Sequence, residues 1–249
     1  TTQFAREFPD LVRECAPSIA ADTRVGAANA PLAREFGIDS GAEIEAVEGL
    51  ARSFSNAHSA HAMAYSGHQF GTFSPVLGDG RAHLMGELTC GDAIVDVHLK
   101  GSGLTPFSRP GSDGKAPLSA MYREYLISEA LDALGIPTSR ALAVLETGER
   151  IRRRAPEPEP AGILVRTAAS HVRVGTFQFA RIAGDQGAIA ADTRDKLVRF
   201  VLDRHYPGWE ESADARRRPA LTLLRGVAAR QARLVAQWMG VGFVHGVLN

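Results

Sequence analysis

Alternating apolar and polar positions predict a β-hairpin in the first half of the chain. Residues 82–89 and 93–99 both alternate, and the Cys-Gly-Asp sequence at 90–92 is a turn signal. We therefore expect an antiparallel pair of strands. Because side chains alternate along a strand, the second strand has an apolar face and a more polar face. The apolar face carries Val95, Val97 and Leu99, and the other carries Ile94, Asp96, His98 and Lys100.

Apolar residues repeat with helical spacing elsewhere. A helix is predicted over residues 119–134, closed by Gly135, and a shorter one over 31–36 before a glycine stop. Two more are predicted in the second half, one capped by Asp192 and one opened by Pro219. Residues 1–60 otherwise show only scattered turn signals and the helical spacing of a few apolar residues near the start. With the hairpin, these patterns indicate an α+β protein.

Two further strands are predicted on either side of an irregular segment. Residues 141–146 and 161–166 have strand character, and residues 150–160 between them are charged and rich in proline. Such a composition predicts a mobile loop without regular structure. The final residues, 241–249, form an apolar, strand-like run interrupted by His-Gly.

The composition excludes several classes of protein. Apolar residues make up 45% and charged residues 22%, as in ordinary globular proteins, and length suffices for one large domain or two lobes. The formal net charge is zero, with 28 basic and 28 acidic residues, so neither nucleic acid nor a membrane is expected as a partner. We expect no membrane span, since no apolar run approaches roughly 20 residues. We also expect no signal peptide, since residues 1–7, Thr-Thr-Gln-Phe-Ala-Arg-Glu, lack that pattern.

Cysteine and lysine are both scarce. Cys15 and Cys90 lie far apart, so neither a disulfide framework nor a zinc knuckle is expected, and a reducing cytoplasm is the predicted location. Of the 28 basic residues only three are lysines: Lys100, Lys115 and Lys196. A lysine kept at the end of a strand is of interest in such a chain, because guanidinium cannot replace a compact ammonium everywhere.

The stretch from Gly78 to Lys100 suggests a phosphate cradle. A glycine turn precedes the hairpin, and the second strand delivers a lysine. Glycines expose backbone N–H groups to a ligand, and lysine supplies a point charge. The alternative is that Lys100 belongs to an exposed polar strand face, and the alternation alone favours that alternative.

Other candidate groups follow or precede the cradle. Arg166 and Arg173 are predicted to converge on one anion if a strand end and a helix start meet, with surface arginines as the alternative. Glu124 and Glu129 both lie on the predicted helix 119–134. A helix carboxylate beside a strand lysine can orient that lysine, although most helix glutamates face water. Three histidines, His58, His61 and His68, lack acidic or thiol partners at ligand spacing, which favours a hydrogen-bonded loop over a metal site.

Several longer motifs together resemble selenoprotein O, the kinase-like family of protein adenylyltransferases. They occur in the family's order and cover most of the chain from about residue 60 onward. The motifs are GHQFG at 67–71, LGDGR at 77–81, LKGSGLTPFSR at 99–109, DG at 113–114, REYLISEA at 123–130, GIPTSR at 135–140, VRTAASHVR at 165–173 and VGFVHGVLN at 241–249.

The resemblance implies a protein-kinase-like fold with two lobes. We expect an extension at 1–60 packing on the first lobe, a first lobe of sheet and helix at 61–148, a charged loop at 149–160, and the start of a helical second lobe at 161–249. In this family ATP binds in an inverted pose, so that AMP passes to a protein hydroxyl with Mg²⁺ (or Mn²⁺). The implied partners are therefore proteins with hydroxyl side chains.

The resemblance also implies which residues bind the nucleotide. Gly78, Gly80 and Arg81 form the glycine loop that faces it. Lys100 contacts phosphate and Glu124 pairs with that lysine. The remaining members of the pocket are Asp113, Gly114, Arg166 and Arg173. The transferred group is anionic, and catalysis of this kind is mostly positioning and charge stabilisation.

One departure from the family pattern concerns the last residues. In the family, the segment matching 245–249 leads into an aspartate base and metal ligands, all of which follow Asn249. We therefore expect no catalytic base or metal ligand here, a truncated second lobe and an inactive fragment. Two alternatives stay open: a nucleotide-binding module without catalysis, and a relative that transfers phosphoryl or UMP. The absence of Gly-x-x-x-x-Gly-Lys-Ser/Thr disfavours a P-loop NTPase.

Overall fold

The computed structural model describes residues 2–38, 43–55, 57, 59–69, 71–91, 93–153 and 156–246. The chain divides into two compact units. The first comprises Thr1–Ala64 and Leu77–His171, and the second comprises Tyr65–Val76 and Val172–Asn249. The predicted division into an extension, two lobes and a loop rests on the family resemblance. The two units are defined by contacts within the chain and do not test it, so that division stays a prediction.

The first unit is built on an antiparallel sheet that has eight strands within the described residues. The strands of the chain are β1 (Val12–Cys15), β2 (Arg24–Ala28), β3 (Ala60–Met63), β4 (Gly67–Gln69), β5 (Thr72–Ser74), β6 (Ala82–Cys90), β7 (Ala93–Lys100), β8 (Ala116–Pro117), β9 (Arg140–Ile151) and β10 (Glu159–Ala168). In space the order is β1-β3-β6-β7-β10-β9-β2, with β8 beside β10, while β4 and β5 pair in the second unit.

Helices accompany both units. Those of the first are α1 (Gln3–Glu7), α2 (Ala30–Glu35), α3 (Glu43–Ser55) and α4 (Leu118–Ala133). Those of the second are α5 (Val174–Asp185), α6 (Thr193–His205), α7 (Ala213–Arg217) and α8 (Pro219–Gly240). Short 3₁₀ turns lie at Pro9–Leu11 and Trp209–Glu211.

Apolar side chains cover both faces of the sheet in the first unit. Ile163 and Val165 of β10 belong to one cluster, which also includes residues of α2 and α3. Leu164, between them, belongs to a second cluster with Met121 of α4. This alternation is the period of two expected of a strand that is covered on both sides. The sheet therefore lies between α2 and α3 on one face and α4 on the other.

The predicted hairpin and the long helices are confirmed. β6 and β7 pair from Ala82 with Lys100 to Cys90 with Ala93, with one irregularity near Gly86. The helix predicted over 119–134 is α4, and the helices predicted after Asp192 and from Pro219 are α6 and α8. The predicted exposed strand face is wrong for two of its members, since Asp96 and His98 are 1% and 0% exposed.

Two other expectations differ from the structure. The segment 150–160 is not irregular throughout, because Arg150 and Ile151 extend β9 and pair with Pro160 and Glu159 of β10. The proline is tolerated there because it lies at the start of the strand, beside a bulge. The first 60 residues contribute strands β1, β2 and the start of β3 to the main sheet.

The second unit is mainly helical. Its short hairpin of β4 and β5 precedes the α-helices in sequence, and Ser66 donates to the carbonyl of Gly175 at 2.9 Å. A Cβ at Gly175 would lie 1.9 Å from the Ser66 carbonyl oxygen, so only glycine allows this approach. Residues 241–246 form a turn and irregular chain instead of the predicted strand, and 247–249 lie outside the described residues. No helix among the described residues is long and apolar enough to cross a membrane.

Candidate nucleotide site

A cluster of charged side chains joins the end of β7 to α4 and β10 in the first unit. Lys100 ends β7, and its ammonium pairs with one carboxylate oxygen of Glu124 in α4. Arg166 of β10 donates from Nη1 to the other carboxylate oxygen at 3.1 Å. The strand register sets Arg166 opposite His98, so it shares a sheet face with Lys100. Lys100, Glu124 and Arg166 thus form a cationic cluster, in which Glu124 bridges two cations delivered by neighbouring strands.

Positive charge exceeds negative charge at this cluster. Burial lowers the pKa of Lys100, and Arg166 and Arg81 lower it further against the opposing effect of Glu124. Burial raises the pKa of Glu124, but Arg166 and Lys100 together outweigh burial and hold that pKa below its usual value. The side chains of Lys100, Glu124 and Arg166 are 24%, 29% and 15% exposed. One carboxylate therefore contacts two cations where solvent has access, and a third cation, Arg81, acts on Lys100, so the environment favours a further anion.

The glycine turn before β6 is held by the loop that follows β7. Gly78 has a φ of +59°, which favours glycine. Thr105 donates to the Asp79 carbonyl at 2.6 Å, and Ser108 donates to the Gly80 carbonyl at 2.6 Å. A Cβ at Gly78 would lie 2.2 Å from Phe107 Cγ. Packing against this loop thus already requires glycine at 78, apart from any contact with a nucleotide.

The Asp113–Gly114 turn is tied to the β9–β10 hairpin. Arg153 makes a bidentate pair with the Asp113 carboxylate, at 2.9 and 2.8 Å, and this hydrogen bonding lowers the pKa of Asp113. Gly114 has a φ of +68°, and a Cβ there would lie 2.1 Å from the Gly103 carbonyl carbon. Arg81 reaches the Lys115 carbonyl at 3.5 Å, so the turn lies next to that arginine. The structure thus brings Asp113 and Gly114 near Arg81, which acts on Lys100.

Arg173 belongs to the second unit. It is the N-cap residue of α5, where its backbone N–H donates to the Thr176 hydroxyl at 3.1 Å. Its guanidinium lies over the Tyr65 ring, 4.6 Å from the centroid. The convergence of Arg173 with Arg166 on one anion stays a prediction, as does nucleotide binding by each residue predicted from the resemblance.

The two described histidines of the 58–68 stretch belong to different units. His61 lies in β3 of the first unit and His68 in β4 of the second, and His58 lies outside the described residues. Within the described part of the chain, no group of three or more His, Cys, Asp and Glu side chains is arranged to hold a metal ion. His68 instead contacts the Phe73 ring, 5.0 Å between centroids.

Three residues that contact members of this site were not singled out from the sequence: His98, which lies 3.2 Å from Arg166 Nε, Asp79, which lies 3.1 Å from His98, and Arg153, which pairs with Asp113. Asp79 lies in the recognised glycine turn but is buried, and His98 lies on the strand face predicted to be exposed. Arg153 lies in a segment predicted to be irregular. The available signal for Asp79 was its position between two glycines. The available signal for His98 was its position two residues before the strand lysine. No signal pointed to Arg153, because the pairing of β9 with β10 in that segment was not expected.

Comparisons with known proteins agree with the resemblance. The family model described as "Protein adenylyltransferase SelO" matches residues 1–249. A "Protein nucleotidyltransferase YdiU" of Rhodopseudomonas palustris is 49% identical over 242 residues, covering 94% of this chain and 46% of that protein. Its counterpart in Pseudarthrobacter chlorophenolicus is 46% identical over 252 residues, covering 99% and 49%.

The Mycobacterium counterpart is 45% identical over 252 residues, covering 99% of this chain and 50% of that protein. The chain therefore spans about half the length of the curated relatives it matches. The match is nevertheless continuous along the chain, and the residues of the cationic cluster lie within it. From these matches, the chain belongs to the SelO family of protein adenylyltransferases, a family of nucleotidyltransferases.

Proposed function

We propose that the first unit binds the triphosphate of ATP at Lys100, Arg166 and Arg81, as part of a protein adenylyltransferase. The observation that carries this proposal is the surplus of positive charge at Glu124, where one carboxylate contacts Lys100 and Arg166 while Arg81 acts on the same lysine. Phosphate oxygens are strong hydrogen-bond acceptors, and their negative charge would balance the surplus positive charge at Glu124. Family membership supports ATP as the nucleotide and a protein as the acceptor.

The residues present fit a triphosphate. The Lys100 ammonium offers a mobile point charge, and the planar Arg166 guanidinium offers donors in a fixed plane. Glu124 holds both in place from α4, so the phosphate-binding groups are ordered before the nucleotide arrives. Preorganised cations of this kind stabilise the charge that develops on a transferred phosphoryl group.

The reaction we propose is attack by a Ser, Thr or Tyr hydroxyl oxygen on the α-phosphorus of ATP. A bond forms between that oxygen and the α-phosphorus, and the hydroxyl proton passes to the aspartate base that the family resemblance implies. The bond to the α–β bridging oxygen breaks, and that oxygen leaves with pyrophosphate. Lys100 and Arg166 would neutralise charge on the phosphates as this occurs. When bound, Mg²⁺ would add further neutralisation. Among the described residues, no three or more His, Cys, Asp and Glu side chains are arranged to hold a metal ion, so the proposed Mg²⁺ dependence rests on the family resemblance.

The kinase-like two-lobe arrangement and the cytoplasmic location belong to this proposal as well. The antiparallel sheet with α4 packed against it would be the first lobe, and α5 to α8 would begin the helical second lobe. Cys15 and Cys90 are both unpaired, which is compatible with a reducing compartment.

Labelled ATP tests the proposed direction of transfer. The chain, and a longer protein that contains it, are incubated with Mg²⁺, a protein acceptor and ATP labelled on either the α- or the γ-phosphate. We expect ATP to bind and α-label to reach protein hydroxyls wherever transfer occurs. Transfer of γ-label alone would contradict AMP transfer and support phosphoryl transfer. Binding of ATP without transfer of either label in both proteins would support the non-catalytic module, and preference for UTP would support UMP transfer.

A further inference from the structure

Buried polar side chains form a hydrogen-bonded chain between the glycine turn and the cationic cluster. Asp79 Oδ2 lies 3.1 Å from His98 Nε2. His98 Nδ1 lies 3.2 Å from Nε and 3.1 Å from Nη2 of Arg166. His98 is 0% exposed and Asp79 is 3% exposed. The residue between the two glycines of the turn is therefore linked to the arginine that contacts Glu124.

The donors and acceptors fix the protonation of this chain. An arginine can only donate, and an ionised carboxylate can only accept. His98 must therefore present the lone pair of Nδ1 to Arg166 and the hydrogen of Nε2 to Asp79. Only the neutral Nε2–H tautomer meets both requirements, since a protonated ring would direct an N–H group at the guanidinium. The neutral His98 ring therefore links the position of Asp79 to the orientation of the Arg166 guanidinium.

The groups that surround His98 agree with a neutral ring. His171 stacks on it, with 4.3 Å between ring centroids and 13° between planes. The His171 backbone N–H donates to Asp96 Oδ2 at 2.9 Å, which fixes the position of that residue. Burial lowers the pKa of His98 well below its usual value, and His171 and Arg166 lower it further while Asp79 opposes them. His98 therefore stays neutral near pH 7.

Both ends of this chain are anchored. At one end the Met63 backbone donates to Asp79 Oδ2 at 3.2 Å and accepts from the Asp79 N–H at 3.0 Å, so the carboxylate is fixed to β3. At the other end Arg166 is held by His98 along Nε and Nη2 and by Glu124 at Nη1. A guanidinium that is hydrogen-bonded along two edges is held in one plane.

We propose that His98 is a positioning residue of the phosphate site, which orients Arg166 toward a nucleotide phosphate and couples that orientation to the glycine turn. The inference rests on the ATP site proposed above. His98 does not contact the nucleotide in this account. It acts through Arg166 on one side and Asp79 on the other. Removing the ring nitrogens should therefore weaken nucleotide binding even though Lys100, Arg166 and Glu124 are intact.

Two substitutions at His98 separate positioning from packing. Leucine removes both ring nitrogens, and we expect His98→Leu to weaken ATP binding by about tenfold or more, the effect of losing a hydrogen bond to a charged group. Glutamine offers an amide NH₂ group to donate to Asp79 and a carbonyl oxygen to accept from Arg166, so His98→Gln should bind ATP within about threefold of the wild-type chain. Titration calorimetry with ATP measures both constants, and thermal unfolding is recorded for each variant.

His83 provides the matched control. It is also a histidine with 0% exposure, on neighbouring β6, and its Nδ1 lies 2.7 Å from the Ser102 hydroxyl. It pairs with Leu99, so it lies on the sheet face opposite to His98. His83→Leu should lower thermal stability and leave ATP affinity unchanged. Failure of the wild-type chain to bind ATP would overturn the proposed function. Binding by the wild type that is equal in His98→Leu, or weakened equally by His83→Leu, would overturn only the role of His98.

Nitrogen NMR of the wild-type chain tests the same inference without a variant that must fold. Long-range proton–nitrogen spectra should report the Nε2–H tautomer of His98 near pH 7. Addition of ATP should shift the His98 Nδ1 resonance, because its partner Arg166 acquires a phosphate, and should leave the His83 resonances in place. An Nδ1–H tautomer, or an ATP-insensitive Nδ1 in a chain that binds ATP, would contradict the positioning role.

Discussion

Two glutamates on the same helix show how similar ion pairs differ in what they can do. Glu124 and Glu129 both lie on α4, and both pair with an arginine from the adjoining sheet. Glu129 accepts from Arg140 Nε and Nη2, from Asn29 Nδ2 at 2.6 Å, and from the Ala141 N–H at 2.9 Å. These partners are all protein groups, and together they satisfy the hydrogen-bonding capacity of the Glu129 carboxylate.

Glu124 differs in the balance of charge around it. Its partners are Lys100 and Arg166, and Arg81 acts on the same lysine, so cations outnumber the carboxylate. Arg140, by contrast, also pairs with Asp132 at 3.0 Å, so carboxylates outnumber the cation near Glu129. The two residues are both glutamates on the same helix. Only the surplus of positive charge around Glu124 distinguishes a candidate anion site from an ion pair with a structural role.

The largest expected effect comes from removing the lysine of the cationic cluster. Lys100→Ala should weaken ATP binding by about 10- to 100-fold, because a charged donor to phosphate is lost. Its effect on the free energy of unfolding should stay below about 1 kcal/mol, since loss of the Glu124 pair is offset by less repulsion from Arg166 and Arg81. Titration calorimetry and urea unfolding measure the two quantities.

Lys196→Ala is the control for that prediction. Lys196 lies in α6 and pairs with Asp192 at 2.8 Å, with its side chain 64% exposed. Its removal should leave ATP affinity unchanged. Equal losses of affinity in both lysine variants would mean that overall charge matters more than the Glu124 cluster.

Glu129→Gln should show the opposite pattern. The substitution removes the charge that Arg140, Asn29 and the Ala141 N–H all contact, and should lower the free energy of unfolding by about 2 kcal/mol. ATP affinity should stay within about twofold. Urea unfolding and calorimetry again report both. A variant of normal stability with impaired ATP binding would reverse the assignment of the two glutamates.

Acidification should destabilise the first unit through histidines more than through either glutamate. Burial lowers the pKa of His83 to about 4, and that of His98 well below its usual value. Below about pH 6.5 these histidines bind protons in the unfolded chain but not in the folded chain. The free energy of unfolding therefore decreases as the pH falls below about 6.5.

The expected loss is roughly 1 kcal/mol per pH unit for each histidine between pH 6 and 5. Glu124 and Glu129 have lowered pKa values, so their contribution is present above the unfolded pKa and is lost only as pH falls below about 4.5. Urea unfolding at a series of pH values measures the slope, and His83→Gln should reduce it. Constant stability from pH 7 to 5 would contradict the neutral buried histidines.

The smallest effect is expected at Arg153. Its pair with Asp113 has side chains that are 31% and 40% exposed, and exposed pairs contribute little. Arg153→Ala should change the free energy of unfolding by less than about 1 kcal/mol. Asp113 also accepts from the Lys115 N–H at 2.9 Å, so the turn keeps one anchor and ATP affinity should fall by less than about threefold. A larger loss would give the hairpin a direct part in the site.

The sequence was sufficient for those parts of the fold that have strong periodicity. The β6–β7 hairpin and α4 follow from local pattern, and the Lys100–Glu124 contact was expected from the family resemblance and is present in the structure. Strands β1 and β2 were missed because they are short and half-exposed, so their pairing depends on distant partners. A local sequence pattern does not show which distant segments pair with each other.

Burial of polar residues was the other obstacle. Asp96 and His98 alternate with valine and leucine as solvent-facing residues would, yet each is satisfied by a partner from another segment. The tie between Arg153 and Asp113 depends on residues 40 positions apart. Only the folded arrangement shows that these groups meet.

The three lysines of the chain allow the most direct test of the cationic cluster. Each lysine is labelled by reductive methylation with and without ATP, and mass spectrometry reports the extent of labelling at Lys100, Lys115 and Lys196. Our account predicts that ATP protects Lys100 strongly and leaves Lys196 unchanged. Equal labelling of Lys100 with and without saturating ATP would contradict the claim that the surplus charge at Glu124 binds the nucleotide.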